Sequence, residues 1–168
     1  MEETFRIRPA TNGDAPAVRR LVFTILCDHG LAPDPASTDA DLDDLEANYH
    51  RRRGSFDVLV DRDGQIIGSV GISPIDDKRC ELRKMYLASA CRGQGLGKRL
   101  LEQALDRARK LGFRRIELET AATLVAAVKL YESFGFRPFE PEHLSARCDQ
   151  AYFLELGEGG PHQPERRL

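Results

Sequence analysis

The stretch Arg92-Gly93-Gln94-Gly95-Leu96-Gly97-Lys98 has glycine at alternate positions and lies directly before the most regular amphipathic segment of the chain. From Leu96 onward the apolar residues recur at helical spacing, and Gly112 ends the pattern. Glycines let the backbone approach a ligand closely, and the unpaired N–H groups at a helix N-terminus attract an anion. The stretch therefore predicts a site for a phosphate or pyrophosphate group at the start of a helix.

Two common phosphate-binding motifs do not fit this stretch. The dinucleotide-binding pattern GxGxxG needs its third glycine at position 98, where the chain has Lys98. A P-loop needs glycine at position 92 and Ser or Thr after its lysine, but the chain has Arg92 and Arg99 there. The pattern that does fit is R-x-x-G-x-G, from Arg92 to Gly97. On these residues alone, a glycine-rich helix start without a ligand stays open.

The glycine stretch lies between strand and helix patterns that cover most of the chain. The predicted elements are β1 (4–8), α1 (16–26), α2 (39–52), β2 (56–61), β3 (65–73), β4 (80–88), α3 (96–111), β5 (114–120), α4 (124–134), β6 (136–139) and β7 (151–156). This order predicts a mixed α/β sheet with a β4-α3-β5 crossover at its centre. We expect a single domain over residues 1–156 and a mobile C-terminal tail over residues 157–168.

Length and composition narrow the class of protein. A chain of 168 residues fits one domain, and its 41% hydrophobic and 31% charged residues are typical of a globular protein. A net charge of −2 argues against a nucleic-acid-binding coat protein, and every apolar run is too short to cross a membrane. The four cysteines are widely separated and no Cys/His set has zinc spacing. We therefore expect reduced thiols, no metal and a cytoplasmic location.

The glycine stretch and its surroundings resemble the GNAT superfamily of N-acetyltransferases. In that family R-x-x-G-x-G binds a pyrophosphate, and an aliphatic residue ends the preceding strand five positions before the arginine, as Leu87 does here. The pair Leu118-Glu119 and the run Leu130-Tyr131-Glu132-Ser133-Phe134-Gly135-Phe136 match further features of the family. The resemblance covers residues 80–139 at motif level. It implies a GNAT-like acyl-CoA N-acyltransferase fold and acetyl transfer from acetyl-CoA to an amine by direct attack on the thioester.

The resemblance also implies a role for individual residues. Backbone groups of Met85, Tyr86 and Leu87 would pair with the pantetheine arm of coenzyme A and polarise the thioester carbonyl. Tyr131 matches the general acid of the family. Leu124 departs from the pattern, because many members have asparagine there to bond the cofactor arm. The pyrophosphate would be held by the loop residues Arg92, Gly93, Gln94, Gly95, Leu96, Gly97 and Lys98.

Two carboxylates compete for the role of the base that keeps the attacking amine neutral. Glu81 lies four residues before Met85, and Glu119 lies twelve residues before Tyr131; members of the family carry a catalytic glutamate at one or other of these positions. In a regular strand, Glu81 and Met85 share one face of the sheet unless a bulge intervenes. We favour Glu81, and a plain surface role stays open for either carboxylate.

Charge is distributed unevenly along the chain. Residues 28–48 hold seven acidic side chains and no Lys or Arg, whereas residues 83–115 hold ten basic side chains. The basic segment suits a phosphorylated cofactor. In GNAT proteins the α1–α2 region borders the acceptor site, so the acidic segment favours a cationic acceptor such as a polyamine, an aminoglycoside or a lysine-bearing peptide. The alternative is that these carboxylates only favour a helix N-terminus and its solvated face.

The sequence predicts an acetyl-CoA-dependent N-acetyltransferase whose acceptor is the amine of a small molecule or a peptide. A competing interpretation is a module of the same fold that binds acyl-CoA without turnover. A third interpretation is transfer of the acetyl group to a hydroxyl group. We expect neither a nucleic acid nor a membrane as partner, and a homodimer stays open.

Overall fold

A computed structural model of the chain describes residues 4–157. Its helices and strands are β1 (Phe5–Pro9), α1 (Ala15–Asp28), α2 (Leu45–Asn48), β2 (Ser55–Asp61), β3 (Ile66–Pro74), β4 (Arg79–Leu87), α3 (Leu96–Lys110), β5 (Arg115–Thr120), α4 (Val125–Ser133), β6 (Arg137–Pro138) and β7 (Gln150–Glu155). The predicted order of elements is confirmed. The predicted mobile tail lies, apart from its first residue, outside the described residues.

All seven strands form one sheet, in the order β1-β2-β3-β4-β5-β7-β6. β4 and β5 are parallel, as the α3 crossover between them requires, and the other five neighbouring pairs are antiparallel. The mixed α/β sheet is therefore confirmed, and the glycine stretch and α3 connect the two strands of its parallel pair.

Hydrophobic residues fill a core on each face of the sheet. Leu59 packs in the cluster that holds the buried side of α3, whereas its neighbours Val58 and Val60 pack with α1 and α2. Alternating side chains of a strand point to opposite faces, so the two helix layers cover opposite sides. Within residues 4–157 no helix is both long and apolar enough to span a membrane, and all four cysteines are free.

The predicted continuous helix over residues 39–52 is wrong. Only Leu45–Asn48 is α-helical, and it lies between the single 3-10 turns Ala40–Asp43 and His50–Arg52. Asp44 interrupts the helix because its backbone is extended and its carboxylate accepts the N–H of Ala47, at 2.9 Å, as an N-cap. Short polar side chains of this kind compete with the helix for backbone hydrogen bonds.

A bulge in β4 changes which side chains face each cleft. Tyr86 pairs with Ser69 and Arg83 with Gly71, so β4 has one residue more than β3 over this interval. Lys84 takes the left-handed conformation there, with φ of 51°. Such an insertion reverses the alternation of side chains beyond it. The shared face expected for Glu81 and Met85 is therefore not found, since the bulge lies between them.

Candidate functional site

The parallel strands β4 and β5 pair over a short stretch and then diverge. Within the described part of the chain their pairing ends at Glu81 opposite Glu117. Two clefts open where the strands separate, and Tyr86 and Leu124 line both of them. The clefts therefore meet at the divergence, on the C-terminal side of the parallel pair.

The larger cleft, which we call the glycine-loop cleft, has a volume of about 610 Å³. It runs from the residue 92–98 loop to the N-terminal half of α4, whose side is apolar through Val125, Ala127 and Leu130. Nine of the ten residues predicted to bind the cofactor line this cleft. Gln94 is the one that does not.

The loop needs glycine at its different positions for different structural reasons. Gly93 and Gly95 have φ of 80° and 74°, and a Cβ at either position would meet no atom within 4 Å. Gly95 is the N-cap of α3, so the free N–H groups of the first turn lie beside this open space. A Cβ at Gly97 would lie 3.4 Å from the Leu130 side chain, so this glycine allows α3 and α4 to pack closely. The loop can accept an anion near its backbone.

Tyr131 is buried beside the glycine-loop cleft rather than among its lining residues. The ring is 5% exposed and packs on Phe136, with 5.6 Å between ring centroids. Burial raises the pKa of Tyr131 above its ordinary value of 10, and the nearby Tyr86 makes a smaller contribution in the same direction. Its hydroxyl therefore keeps its proton at neutral pH, as a proton donor must.

The smaller cleft, which we call the carboxylate cleft, has a volume of about 340 Å³. β4 and β5 form its floor, and its walls come from the α1–α2 connection and from residues 145–148 between β6 and β7. Both predicted carboxylates, Glu81 and Glu119, line it. The structure thus brings together two residues that are 38 positions apart in the sequence.

The two carboxylates have different surroundings. Glu81 forms an ion pair with Arg83, with 3.2 Å between Oε1 and Nε. Glu119 accepts a hydrogen bond from the Ser145 hydroxyl at 3.3 Å. Burial, and then the negative charge of Glu81, raises the pKa of Glu119 above its ordinary value of 4.5. The site therefore increases the proton affinity of Glu119.

A buried ion-pair network that the sequence did not reveal joins the walls of the carboxylate cleft. Arg147 donates to both carboxylate oxygens of Asp39 at 2.7 Å. The Lys84 ammonium lies 3.2 Å from Asp39 and 3.1 Å from Asp41. Burial acts to raise the pKa of Asp39, but hydrogen bonds from Arg147 and the backbone of Asp34, with the charge of Lys84, hold it below its ordinary value. The network fixes two loops against the bulge of β4.

The acidic segment over residues 28–48 serves mainly internal structure. Asp39 and Asp41 belong to the buried network, and Asp44 caps α2. Asp34, Asp43 and Glu46 have partners in Thr38, Arg19 and Asn12. Among the acidic residues of this segment, Asp41 is the one found in the lining of the carboxylate cleft. This supports the interpretation that the acidic segment stabilises the fold, rather than the interpretation that its charge attracts a polycationic acceptor.

The described residues contain no group of three or more His, Cys, Asp or Glu side chains that could hold a metal ion. The functional groups gathered at the divergence of β4 and β5 are carboxylates, backbone amides, basic side chains and a buried tyrosine.

Comparisons with known proteins agree with this geometry. The family model for the acetyltransferase (GNAT) family matches residues 22–136. The uncharacterized N-acetyltransferase YjgM of Escherichia coli is 39% identical over 135 residues, which cover 77% of this chain and 80% of that protein.

Solved structures share the fold at lower identity. A GNAT-family acetyltransferase from Staphylococcus aureus has a TM-score of 0.85 at 21% identity, covering 90% of this chain and 99% of its own. A phosphinothricin acetyltransferase from Sinorhizobium meliloti, solved in complex with acetyl-CoA, has a TM-score of 0.73 at 20% identity, covering 98% and 95%.

Proposed function

Because this chain belongs to the GNAT family of acetyltransferases, we propose that it transfers the acetyl group of acetyl-CoA to a primary amine bound in the carboxylate cleft. The observation that carries the proposal is that the two clefts meet at Tyr86 and Leu124, where β4 and β5 diverge. A donor in one cleft and an acceptor in the other would have their reacting atoms side by side. Such placement alone removes much of the entropic cost of a reaction between two molecules.

The glycine-loop cleft fits coenzyme A. The open space beside Gly93 and Gly95, at the N-terminus of α3, accommodates a pyrophosphate, and Arg92 and Lys98 in the lining add positive charge. When bound, acetyl-CoA supplies the thioester that is attacked by the amine. Residues 85–87 lie beyond the last β4–β5 pair, which supports the expectation that their backbone groups bond the pantetheine arm and the thioester carbonyl. Leu124, in the lining of the cleft, would give this arm an apolar contact in place of an amide.

We assign the role of base to Glu119, although the sequence favours Glu81. Glu81 already shares its charge with the Arg83 guanidinium, whereas the partner of Glu119 is the neutral hydroxyl of Ser145. A carboxylate with a raised pKa takes a proton from an ammonium group, directly or through a water molecule, more readily than one with an ordinary pKa. The amine then attacks in its neutral form.

Tyr131 is proposed as the proton donor to the departing thiolate, and Tyr131→Phe tests this role. We expect kcat to fall about 100-fold at neutral pH, because the ring stays in place and only the proton is lost. Tyr152→Phe is the matched control, since Tyr152 is equally buried in the same core and its hydroxyl donates, at 3.4 Å, to Glu132, which lines neither cleft. Thiol release from acetyl-CoA measures both variants. A Tyr131→Phe protein as fast as the wild type would remove the residue from the mechanism.

Binding of acetyl-CoA and its turnover are tested separately. At a ligand concentration of about 100 times Kd, acetyl-CoA should stabilise the protein by about 2.7 kcal/mol and raise Tm by about 5–10 °C. Gly95→Asp should weaken binding about tenfold or more, because it places a carboxylate beside the bound phosphates. Gly64→Asp is the matched control: Gly64 also has a positive φ, 79°, and open space, but it lies in the β2–β3 turn.

The outcome of this experiment separates the alternatives. No rise in Tm with acetyl-CoA would contradict the assignment of the glycine-loop cleft. A rise without thiol release across a panel of amines would favour the acyl-CoA-binding module without turnover, and release with hydroxyl compounds alone would favour a non-amine acceptor.

A further inference from the structure

The charges around the carboxylate cleft are balanced except at one position. The cations are Arg83, Lys84 and Arg147, and each forms an ion pair with a carboxylate of Glu81, Asp41 or Asp39. Among the described acidic residues that line the cleft, Glu119 is the one outside these ion pairs; its hydrogen-bond partner is Ser145. The cleft therefore has one carboxylate available for one ammonium group.

This balance disfavours a polycationic acceptor. Each further ammonium group of a polyamine that entered the cleft would lose its water without an unpaired lining carboxylate of its own. Burial of an ammonium group without a partner is costly. The cleft suits an acceptor with a single amine.

Arg83 is the cation that an acceptor can reach. Its side chain is 39% exposed, whereas those of Lys84 and Arg147 are 6% and 14% exposed. Its Nε and Nη2 atoms contact Glu81 at 3.2 and 3.3 Å, which occupies one edge of the guanidinium group. The Arg83 guanidinium also interacts with Tyr49. A guanidinium has five N–H donors, so donors remain for a carboxylate of an acceptor.

Arg83 and Glu119 occupy corresponding positions on the two diverging strands. Glu81 is opposite Glu117 in the last β4–β5 pair. Arg83 lies two positions after Glu81 in β4, and Glu119 lies two positions after Glu117 in β5. Both line the carboxylate cleft, and the charge of Arg83 acts on the pKa of Glu119. Neighbouring strands are about 4.8 Å apart where they pair, and these diverge beyond that point. A small acceptor in this cleft would therefore have both Arg83 and Glu119 in the surrounding wall.

We propose that the acceptor is an amino-acid-like molecule, whose single amine binds at Glu119 and whose carboxylate binds the N–H donors of Arg83 that Glu81 does not occupy. The proposal rests on the proposed function and names its substrate class. The transfer forms the N–C bond of an amide and breaks the C–S bond of the thioester. Glu119 takes one proton from the ammonium group before the attack, and the thiol leaves with a proton from Tyr131. The nitrogen loses its second proton as the amide forms. That proton restores Tyr131 through solvent, and Glu119 releases the first proton to solvent.

The experiment compares free L-amino acids with their α-carboxamides and with spermidine, by thiol release from acetyl-CoA. The wild type should use at least one free amino acid about tenfold or more better in kcat/KM than its carboxamide, because a charge-assisted bond to Arg83 is lost in the amide. In Arg83→Gln this acid-to-amide ratio should fall about tenfold, mainly through KM of the acid. Comparison of one ratio between two proteins cancels the intrinsic reactivity of the two acceptors.

Two further variants control for the loss of an arginine elsewhere and for a loss of stability. Arg62→Gln removes an exposed arginine from the β2–β3 turn and should leave the ratio unchanged. If Arg83→Gln lowers Tm strongly, Arg83→Lys keeps the charge but loses the bidentate edge, so the ratio should fall by a smaller factor.

The results separate the substrate class from the activity. Efficient transfer to spermidine or to the carboxamides in preference to the acids would overturn the acceptor class and leave the acetyltransferase proposal standing. An unchanged ratio in Arg83→Gln would overturn the role of Arg83. No thiol release with any amine would overturn both the proposed function and this inference.

Discussion

Replacement of Asp39 by alanine is expected to lower the free energy of unfolding by about 3–5 kcal/mol, a large part of the stability of a domain of this size. The Asp39 carboxylate is fully buried and bonds Arg147 through both oxygens. It also lies 3.2 Å from the Lys84 ammonium, which is 6% exposed. Its removal would leave two cations in a low-dielectric site with one remaining carboxylate, Asp41. Urea unfolding at pH 7 measures the loss.

Asp43→Ala is the matched control for this variant. Asp43 pairs with Arg19 at 3.1 Å in the same segment, but the two side chains are 57% and 41% exposed. Exposed pairs contribute about 0–1 kcal/mol, so this substitution should cost little. Equal losses in the two variants would show that the buried network does not stabilise the fold in the way we infer.

The pH dependence gives a second check on Asp39. The pKa of Asp39 is held below its ordinary value of 3.8 in the folded protein. A carboxyl with a lowered folded pKa stabilises the protein above its unfolded pKa, and this contribution is lost as the pH falls through the folded pKa. The difference in stability between the wild type and Asp39→Ala should therefore be full at neutral pH and shrink below about pH 4.

The order of elements was predictable because each long element carries its own periodicity. The apolar spacing from Leu96 and the alternation in β5 depend on neighbours within a few residues, and both elements were found as predicted. The helix expected over residues 39–52 failed for a reason that is also local but not periodic. One carboxylate, that of Asp44, caps a new helix in the middle of the segment.

The cleft walls were not predictable in the same way. The bulge at Lys84 exists only relative to its partner strand β3, and it decides that Glu81 and Met85 face opposite sides. A left-handed conformation outside glycine costs about 1–2 kcal/mol, and Lys84 gains two buried ion pairs in return. The pairing of Asp39 with Arg147 joins residues 108 positions apart, which no short-range pattern records.

For Glu119→Gln we expect kcat to fall about 100-fold or more at neutral pH, because the amide cannot take the proton of the amine. Since burial and Glu81 raise the pKa of Glu119, the wild-type rate should increase with pH as this carboxyl ionises above its ordinary value of 4.5. The pH profile of Glu119→Gln should lack this increase in rate. Thiol release measured across the pH range on both proteins tests both statements.

Two glutamates in the same strands serve as controls for Glu119. Glu117 precedes it by two residues in β5, pairs with Arg115 at 2.9 Å and does not line the carboxylate cleft, so Glu117→Gln should keep kcat near the wild-type value. Glu81→Gln separates the two candidate bases. If Glu81→Gln lost its activity and Glu119→Gln kept it, the base would be Glu81.

The stability of Glu119→Gln distinguishes a lost base from a damaged fold. A carboxyl whose pKa is raised on folding is less favourable in its ionised form inside the protein than outside, so above that pKa it lowers stability. Glutamine removes the charge and can still accept the hydrogen bond from Ser145. The variant should therefore melt slightly higher than the wild type at pH 7, by about 1 °C or more, and this gain should vanish at acid pH, where Glu119 is protonated. A slower enzyme that is also more stable is the result expected when a partly buried carboxylate is kept for chemistry.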